Sequence, residues 1–157
     1  MHEPPTPFRP EAGITGFHGP RDPAPAVTDA ATCRTALYAA ARDAAGRVEG
    51  FTAQAYPRTF HSATVRVHDA AHIVLFHVHQ PLVAFAADQL DWYADEFVDP
   101  PKWSDTLARH GFTILTAPQL CAPFTEADAS ALSAAERAQV AYWHPKTVGA
   151  VLFNSWD

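Results

Sequence analysis

The sequence predicts an α+β fold, a single domain in which about three helices pack on a mainly antiparallel sheet. Two observations predict this class. Segments 59–67 and 72–79 are rich in β-branched residues and are separated by a short polar stretch, which is the pattern of a β-hairpin. Alanine-rich or well-capped segments with apolar residues at helical spacing lie before and after it. The chain has 157 residues, 48% of them hydrophobic, so it can form one core and has little room for a second domain.

Residues 1–27 are predicted to form a proline-rich arm, and residues 28–157 the single α+β domain. Seven of the 14 prolines lie within the first 25 residues. Because proline fixes φ and has no backbone N–H, the arm cannot be a regular helix or a central strand. Phe8, Ile14 and Phe17 are the residues that could anchor the arm on the domain.

The first helix is expected to begin after Thr28-Asp29, a favourable N-cap pair, and to end at Gly46. Segment 48–56 is compatible with a first strand. In the hairpin, a two-residue loop at Asp69-Ala70 would place Val65 opposite Val74. One face would then be apolar, with Ala63, Val65, Val67, Val74, Phe76 and Val78, and the other mixed, with Thr64, Arg66, Ile73, Leu75, His77 and His79.

Further strands are expected near 82–88 and 112–116. Helices are expected over about 101–111 and from Ser133 to Trp143, where Ser133 and Glu136 have the spacing of a capping box. The apolar spacing of 147–156 fits either a strand or a helix, and we expect the strand. Three aromatic residues near the C-terminus are expected to close the core: Tyr142, Trp143 and Trp156.

Charge and motif content exclude several classes of function. The net charge of −6 argues against a nucleic-acid partner, which would require a basic face. No stretch of 18 apolar residues and no secretory signal pattern occurs, so no membrane association is expected. Cys33 and Cys121 match no CxxC spacing, which favours the cytoplasm. Nucleophile-elbow and phosphate-loop motifs are absent, so the sequence leans against an enzyme without deciding the question.

Nine histidines raise the possibility of a metal site, and the sharpest local pattern is His77-Val78-His79. On a strand, residues i and i+2 point the same way, and two imidazoles can serve as ligands for zinc or iron. A third ligand at a recognisable spacing is lacking, so both histidines could equally be polar residues on a mixed face. The alternative function is therefore a metal-dependent enzyme or metal-binding protein that holds a divalent metal such as zinc at His77 and His79. Otherwise no cofactor is expected.

Segment 88–103, DQLDWYADEFVDPPKW, combines five carboxylates with four aromatic residues. Trp and Tyr are the most frequent binding hot spots, and surrounding carboxylates would steer a basic partner. The predicted partner-binding residues are Asp91, Trp92, Tyr93, Asp95, Glu96 and Asp99. The alternative is that Trp92, Phe97 and Trp103 belong to the core and the acidic residues simply face water.

The last 26 residues, LSAAERAQVAYWHPKTVGAVLFNSWD, contain the pattern ExxQ, YWxP, G and FNxWD. The matching positions are Glu136, Gln139, Tyr142, Trp143, Pro145, Gly149, Phe153, Asn154, Trp156 and Asp157. This segment resembles the ends of small uncharacterised bacterial single-domain proteins, some of which resemble immunity partners of polymorphic bacterial toxins. The resemblance implies a bacterial binding module and attaches no catalytic residue to the pattern. The leading hypothesis is a small cytoplasmic module of the immunity type that binds a basic protein through segment 88–103.

Overall fold

The structure is a computed structural model that describes residues 7–87 and 96–156. Within these ranges the chain forms one six-stranded sheet, six helices and a 3-10 turn. The predicted α+β class with a mainly antiparallel sheet is confirmed, but the helices outnumber the three that were predicted. No helix in these ranges is long and apolar enough to cross a membrane.

The helices are α1 Ala30–Asp43, α2 Asp105–Arg109, α3 Ala117–Cys121, α4 Glu126–Ala129, α5 Ala134–Trp143 and α6 Val148–Leu152, and the 3-10 turn Lys102–Ser104 precedes α2. Periodicity does not reveal α3, α4 and α6 because each has only four or five residues. Each of these helices begins at a threonine whose side chain accepts a hydrogen bond from a backbone N–H of the first turn: Thr116, Thr125 and Thr147.

The strands are β1 Arg47–Thr52, β2 Phe60–Val67, β3 Ala70–His77, β4 Leu82–Ala86, β5 Phe97–Val98 and β6 Thr113–Ile114. The first five pair in chain order, and all four of these pairings are antiparallel. Strand β6 pairs in parallel with the start of β4, and β5 pairs with its end. Strand β1 therefore forms one edge of the sheet.

The loop of the β2–β3 hairpin begins and ends one residue earlier than predicted. The loop residues are His68 and Asp69, both at positive φ (48° and 68°), so Val65 pairs with His72 and Ala63 with Val74. Two positive φ values match the twist of a two-residue hairpin, and Asp tolerates them better than Ala does. The register differs from the prediction by two residues, so the side chains on each face are unchanged.

The sheet lies between two hydrophobic clusters. On one face, α1 and α2 cover the predicted apolar face of the hairpin, with Cys33, Leu37, Leu107 and Phe112 packed against Val65, Phe76 and Phe85. The other face was expected to be mixed, but Leu75 and His77 on it are buried. It is covered by α3, α6 and neighbouring segments, which contribute Ile14, Phe97, Leu120, Leu132, Leu152 and Phe153. The burial of this mixed face was not predicted, because its cover comes from residues distant in sequence.

The strand expected in 147–156 is wrong, because residues 148–152 form α6. Thr147 caps this helix by accepting from the Ala150 N–H. Gly149 allows the close packing: a Cβ there would lie 2.5 Å from the Phe97 ring and 3.0 Å from the Leu120 carbonyl oxygen. Because Gly149 has no side chain, α6 can pack closely against β5 and α3.

The described part of the arm lies against the domain. Ile14 is fully buried, and Phe8 packs against the same cluster. The Glu136 carboxylate of α5, itself fully buried, accepts hydrogen bonds from the Gly13 N–H (2.8 Å), the Thr15 N–H (3.0 Å) and the Thr15 hydroxyl (2.6 Å). These contacts bring the proline-rich arm and the C-terminal helices to the same side of the sheet.

Candidate functional site

Most of the predicted acidic interface falls outside the described residues, including Asp91, Trp92, Tyr93 and Asp95. The two described members, Glu96 and Asp99, are both exposed. The Asp99 carboxylate accepts a hydrogen bond from the Ala117 N–H (3.1 Å) at the start of α3. Asp99 therefore has a structural contact in addition to any role toward a partner.

Two aromatic residues of the same segment pack against the sheet. Phe97 is 9% exposed and lies 5.9 Å from Phe153, measured between ring centroids. Trp103 meets the rings of Phe85 and His72 edge-on, each at 5.4 Å. Both residues contribute to the core. The alternative interpretation of segment 88–103, in which its aromatic residues are core residues, expects this at both positions.

His77 and His79 lie side by side, with ring centroids 5.8 Å apart. The Nδ1 of His77 accepts hydrogen bonds from the N–H groups of His79 (3.0 Å) and Gln80 (3.2 Å). The Nδ1 of His79 donates to the Ala26 carbonyl oxygen (2.9 Å). Both Nδ1 atoms are thus bonded to backbone groups, and an ion shared by the two rings would have to be bound through the Nε2 atoms. Within the described ranges, no three His, Cys, Asp or Glu side chains are grouped as a metal site requires.

Burial, and to a smaller extent the neighbouring His79, lowers the pKa of His77 to about 3. The ring is fully buried, and its Nε2 has no hydrogen-bond partner among the described residues. His77 is therefore neutral at physiological pH. The buried Cys33 thiol is also uncharged there, because burial and then the Asp29 charge raise its pKa to about 11. Cys33 is not activated as a nucleophile.

A cavity of about 260 Å³ opens where the arm meets the chain end. Aromatic rings and polar side chains line it together, among them Phe17, His18, Tyr56, Arg58, His79 and Trp156. Because His79 donates through Nδ1, its Nε2 carries a lone pair, and a Cβ at Gly16 would lie 2.9 Å from that atom. The edge of the His79 ring therefore lies directly against Gly16 in the cavity wall.

From this cavity a row of aromatic side chains, the aromatic band, continues across the surface: Phe17, Tyr56, Tyr142, Trp143 and Trp156. Trp156 lies 6.5 Å from Phe17 and stacks on Trp143 at 6.4 Å with an interplanar angle of 5°. Trp143 meets Tyr142 edge-on at 5.2 Å. Tyr56 joins the band through the cavity wall that it shares with Phe17 and Trp156.

The band is substantially exposed. The exposed fractions are 78% for Tyr56, 73% for Tyr142 and 40% for Trp143, whereas Trp156 beneath them is 8% exposed. The expectation that Tyr142 and Trp143 close the core is therefore wrong, and it holds only for Trp156. The reason lies in α5, where Val140 and Glu136 face inward and leave the last helical residues outside.

Comparison with protein-family models, with curated proteins and with solved structures finds no match to this chain.

From the sequence we predicted an interface at segment 88–103 and did not predict the aromatic band. Tyr142-Trp143 directly before His144-Pro145 was a usable signal, because proline ends the helix and leaves its last turn at the surface. The participation of Phe17 and Tyr56 had no local signal. Both join the band through contacts with residues about 100 or more positions away in sequence. Contacts at this separation cannot be predicted from the local pattern of one sequence.

Proposed function

We propose that this chain is a protein-binding module and that the aromatic band forms its interface. The observation that carries the proposal is the exposure of Tyr56, Tyr142 and Trp143 within one contiguous set of rings. Contiguous apolar rings at a surface are typical of interaction sites, and Trp and Tyr are enriched among the residues that dominate binding energy. A partner that covered the band would remove all of these rings from water.

Trp143, in the middle of the band, is held in place before any partner arrives. The Trp143 Nε1 donates to the Gln139 side chain one helical turn earlier (3.1 Å), and the ring is stacked on Trp156. Helix α5 begins at a capping box in which Ser133 and Glu136 bond reciprocally. Side chains that are already ordered lose little conformational entropy on binding, so their buried area translates more fully into affinity.

The partner that we propose is a basic protein, and the module is of the immunity type. The net charge of −6 and the exposed carboxylates of Glu96 and Asp99 support a basic partner. The resemblance at the C-terminus supports the immunity type, and three of its matching positions, Tyr142, Trp143 and Trp156, belong to the aromatic band.

The test of the interface uses the chain as bait in a lysate of its native host, followed by purification of the captured protein. We expect Trp143→Ala and Tyr142→Ala each to weaken binding of that protein about 30-fold, the usual effect of truncating a hot-spot aromatic residue. The measurement is the dissociation constant by isothermal titration calorimetry. Unfolding in urea should show a small change for Tyr142→Ala, because this ring is 73% exposed.

Tyr38→Ala is the matched control. Tyr38 is also an exposed tyrosine, but it lies on α1, which covers the opposite face of the sheet. Its substitution should leave the dissociation constant unchanged. Parental affinity in both band variants, or an equal loss in Tyr38→Ala, would show that the interface lies elsewhere.

Electrostatic steering by segment 88–103 is tested separately with the triple variant Asp91→Asn, Asp95→Asn and Glu96→Gln. We expect association with the same captured partner to slow several-fold at low salt, with little change in dissociation, because removing peripheral charge chiefly affects the encounter rate. Stopped-flow kinetics at low and high ionic strength measure both rates. A variant that associates as fast as the parent at low salt would contradict a steering role.

A further inference from the structure

The cavity where the arm meets the chain end has room for an aromatic ring. Its volume is about 260 Å³. A dry apolar cavity of about 150 Å³ is already large enough to bind benzene, so this one can take a ring as large as indole. Three rings of the aromatic band line it: Phe17, Tyr56 and Trp156. A guest ring in the cavity could therefore contact several of them at once.

Aromatic walls favour a planar guest over an aliphatic one. Ring pairs in offset or edge-on geometry gain free energy beyond the apolar area that they bury. Phe17 and Trp156 already form a tilted pair, with ring centroids 6.5 Å apart. A guest ring would extend this pair, whereas an aliphatic side chain of the same area would gain only from burial.

Hydrogen bonds join the segments that line the cavity. The Thr59 N–H donates to the Asn154 carbonyl oxygen (3.0 Å), which ties the turn after β1 to the C-terminal residues. The Gln54 side chain donates to the Arg58 carbonyl oxygen (2.9 Å) and closes that turn. On the other side, Glu136 holds the arm. A site that is formed before its ligand arrives loses little conformational entropy on binding.

The charges around the cavity favour a neutral guest. The Arg58 guanidinium lines the cavity and would repel a lysine or arginine side chain. No described carboxylate lines it, but the Glu136 carboxylate bonds to the wall residue Thr15 and would repel an acidic guest. Gln54 and His18 also line the cavity, and both can bond to the polar tip of a tryptophan or tyrosine ring.

We propose that the cavity is the anchor pocket of the interface and that it receives a tryptophan or tyrosine side chain of the partner protein. The proposal rests on the protein-binding function proposed above and names the partner residue that enters the site. The cavity is continuous with the aromatic band through Phe17, Tyr56 and Trp156. Hot-spot residues lie in well-packed pockets and tend to pair with hot-spot residues of the partner.

The test uses the intact protein and N-acetyl-tryptophanamide, with two-dimensional NMR titration as the readout. We expect saturable shifts in the backbone N–H signals of Gly16, Phe17 and Thr59, with a dissociation constant of about 1 mM or less. N-acetyl-leucinamide and N-acetyl-lysinamide should bind at least about fivefold more weakly, because neither carries a ring. Failure of the tryptophan compound to bind, or equal binding of either other compound, would overturn the proposal.

The site is located with two matched tyrosine variants. Tyr56→Leu keeps an apolar side chain in the cavity wall and removes the ring, and because Tyr56 is 78% exposed the fold should be little affected. We expect binding of the tryptophan compound to weaken about three- to tenfold, the effect of losing one ring pair. Phe17→Leu should give a loss of similar size. Tyr38→Leu, at an exposed tyrosine of α1, should leave binding unchanged. Equal losses in Tyr56→Leu and Tyr38→Leu, or parental binding in both cavity variants, would contradict the assignment.

The captured partner separates failure of the anchor pocket from failure of the interface. At ten times its dissociation constant, the tryptophan compound should raise the apparent dissociation constant of the partner about tenfold, because both occupy one cavity. Tyr142 and Trp143 do not line this cavity. If their alanine variants weaken the partner and the tryptophan compound does not compete, the anchor pocket is wrong and the protein-binding function stands. If both alanine variants keep parental affinity, the interface lies elsewhere and the anchor pocket is refuted with it.

Discussion

Glu136→Ala should lower the free energy of unfolding by about 3–5 kcal/mol, because three buried or half-buried backbone N–H groups would lose an ionised acceptor. The Glu136 carboxylate is fully buried and holds the N–H groups of Gly13, Thr15 and Ser133, as well as the Thr15 hydroxyl. Denaturation in urea measures the loss. It should be accompanied by faster cleavage of the arm at Arg21 by trypsin, since Glu136 ties the arm to α5.

Glu136→Gln should also destabilise the protein, by about 2–3 kcal/mol. Each carboxylate oxygen accepts two hydrogen bonds, Oε1 from Gly13 and Ser133 and Oε2 from both donors of Thr15. The amide group of glutamine would direct its own N–H donors at one of these pairs, whichever way it turned. Glu11→Ala, at an exposed arm position, is the control and should change stability by less than about 0.5 kcal/mol. A loss for Glu136→Ala as small as that of the control would refute the anchoring role.

The same carboxylate gives the arm contact a defined pH dependence. Burial acts to raise the pKa of Glu136, but the hydrogen bonds from Gly13, Thr15 and Ser133 outweigh it and hold the pKa below 4.5. A carboxyl group with a lowered folded-state pKa stabilises the fold fully above its unfolded pKa. That stabilisation is lost as the pH falls through the folded-state value. Acid should therefore release the arm from α5.

Local sequence signals were sufficient for the existence of β2 and β3 and for the two longest helices, α1 and α5. The β-branched runs in β2 and β3, the Asp29 cap of α1 and the Ser133 capping box of α5 each act within a few residues. Strand faces were also predictable, since a register error of two residues leaves the alternation of side chains intact. These features are local, and the predicted class followed from them.

The remaining features depend on contacts between distant segments. Whether the Leu75 face of the hairpin meets water or protein depends on where residues 97–153 return to the sheet. The close packing of α6 depends on Gly149 lying against Phe97 and Leu120. The aromatic band depends on Phe17 and Trp156 meeting across nearly the whole chain. None of these contacts has a signature within a short window of sequence.

Several histidines form hydrogen bonds with the backbone, a structural role that their spacing in the sequence does not reveal. His61 accepts a hydrogen bond from the Gln54 N–H (2.8 Å), and its ring stacks on Phe51 at 5.7 Å between centroids. His77 accepts from the two N–H groups that follow β3, and His79 donates to the arm. These three histidines thus bind backbone groups close to the ends of β1 and β3.

Buried neutral histidine makes stability depend on pH. Burial lowers the pKa of His77 to about 3 and also lowers the pKa of His61 below 6.5. Between about pH 3 and pH 6.5 the unfolded chain therefore binds a proton at His77 that the folded chain does not. The stabilisation is complete above pH 6.5 and is lost as the pH falls below it. We expect His77 alone to lower the free energy of unfolding by about 1.4 kcal/mol for each pH unit in this range.

His77→Asn separates this titration from the hydrogen bonds of the ring. The Asn Oδ1 takes the place of Nδ1 and can accept from the N–H groups of His79 and Gln80, but it does not titrate. We expect a lower stability at pH 7, because the shorter side chain fills less space beside Phe153, and a smaller loss of stability between pH 6.5 and pH 4.5. Urea denaturation across this range gives both quantities, and comparison with the parent chain over the same range cancels the contribution of Glu136, which both chains share. His77→Ala should show the same reduced pH slope with a larger loss at pH 7, because it also removes the acceptor. If His77→Asn kept the parental slope, the pH dependence would arise from other groups, and His77 would have to be accessible to protons in the folded state.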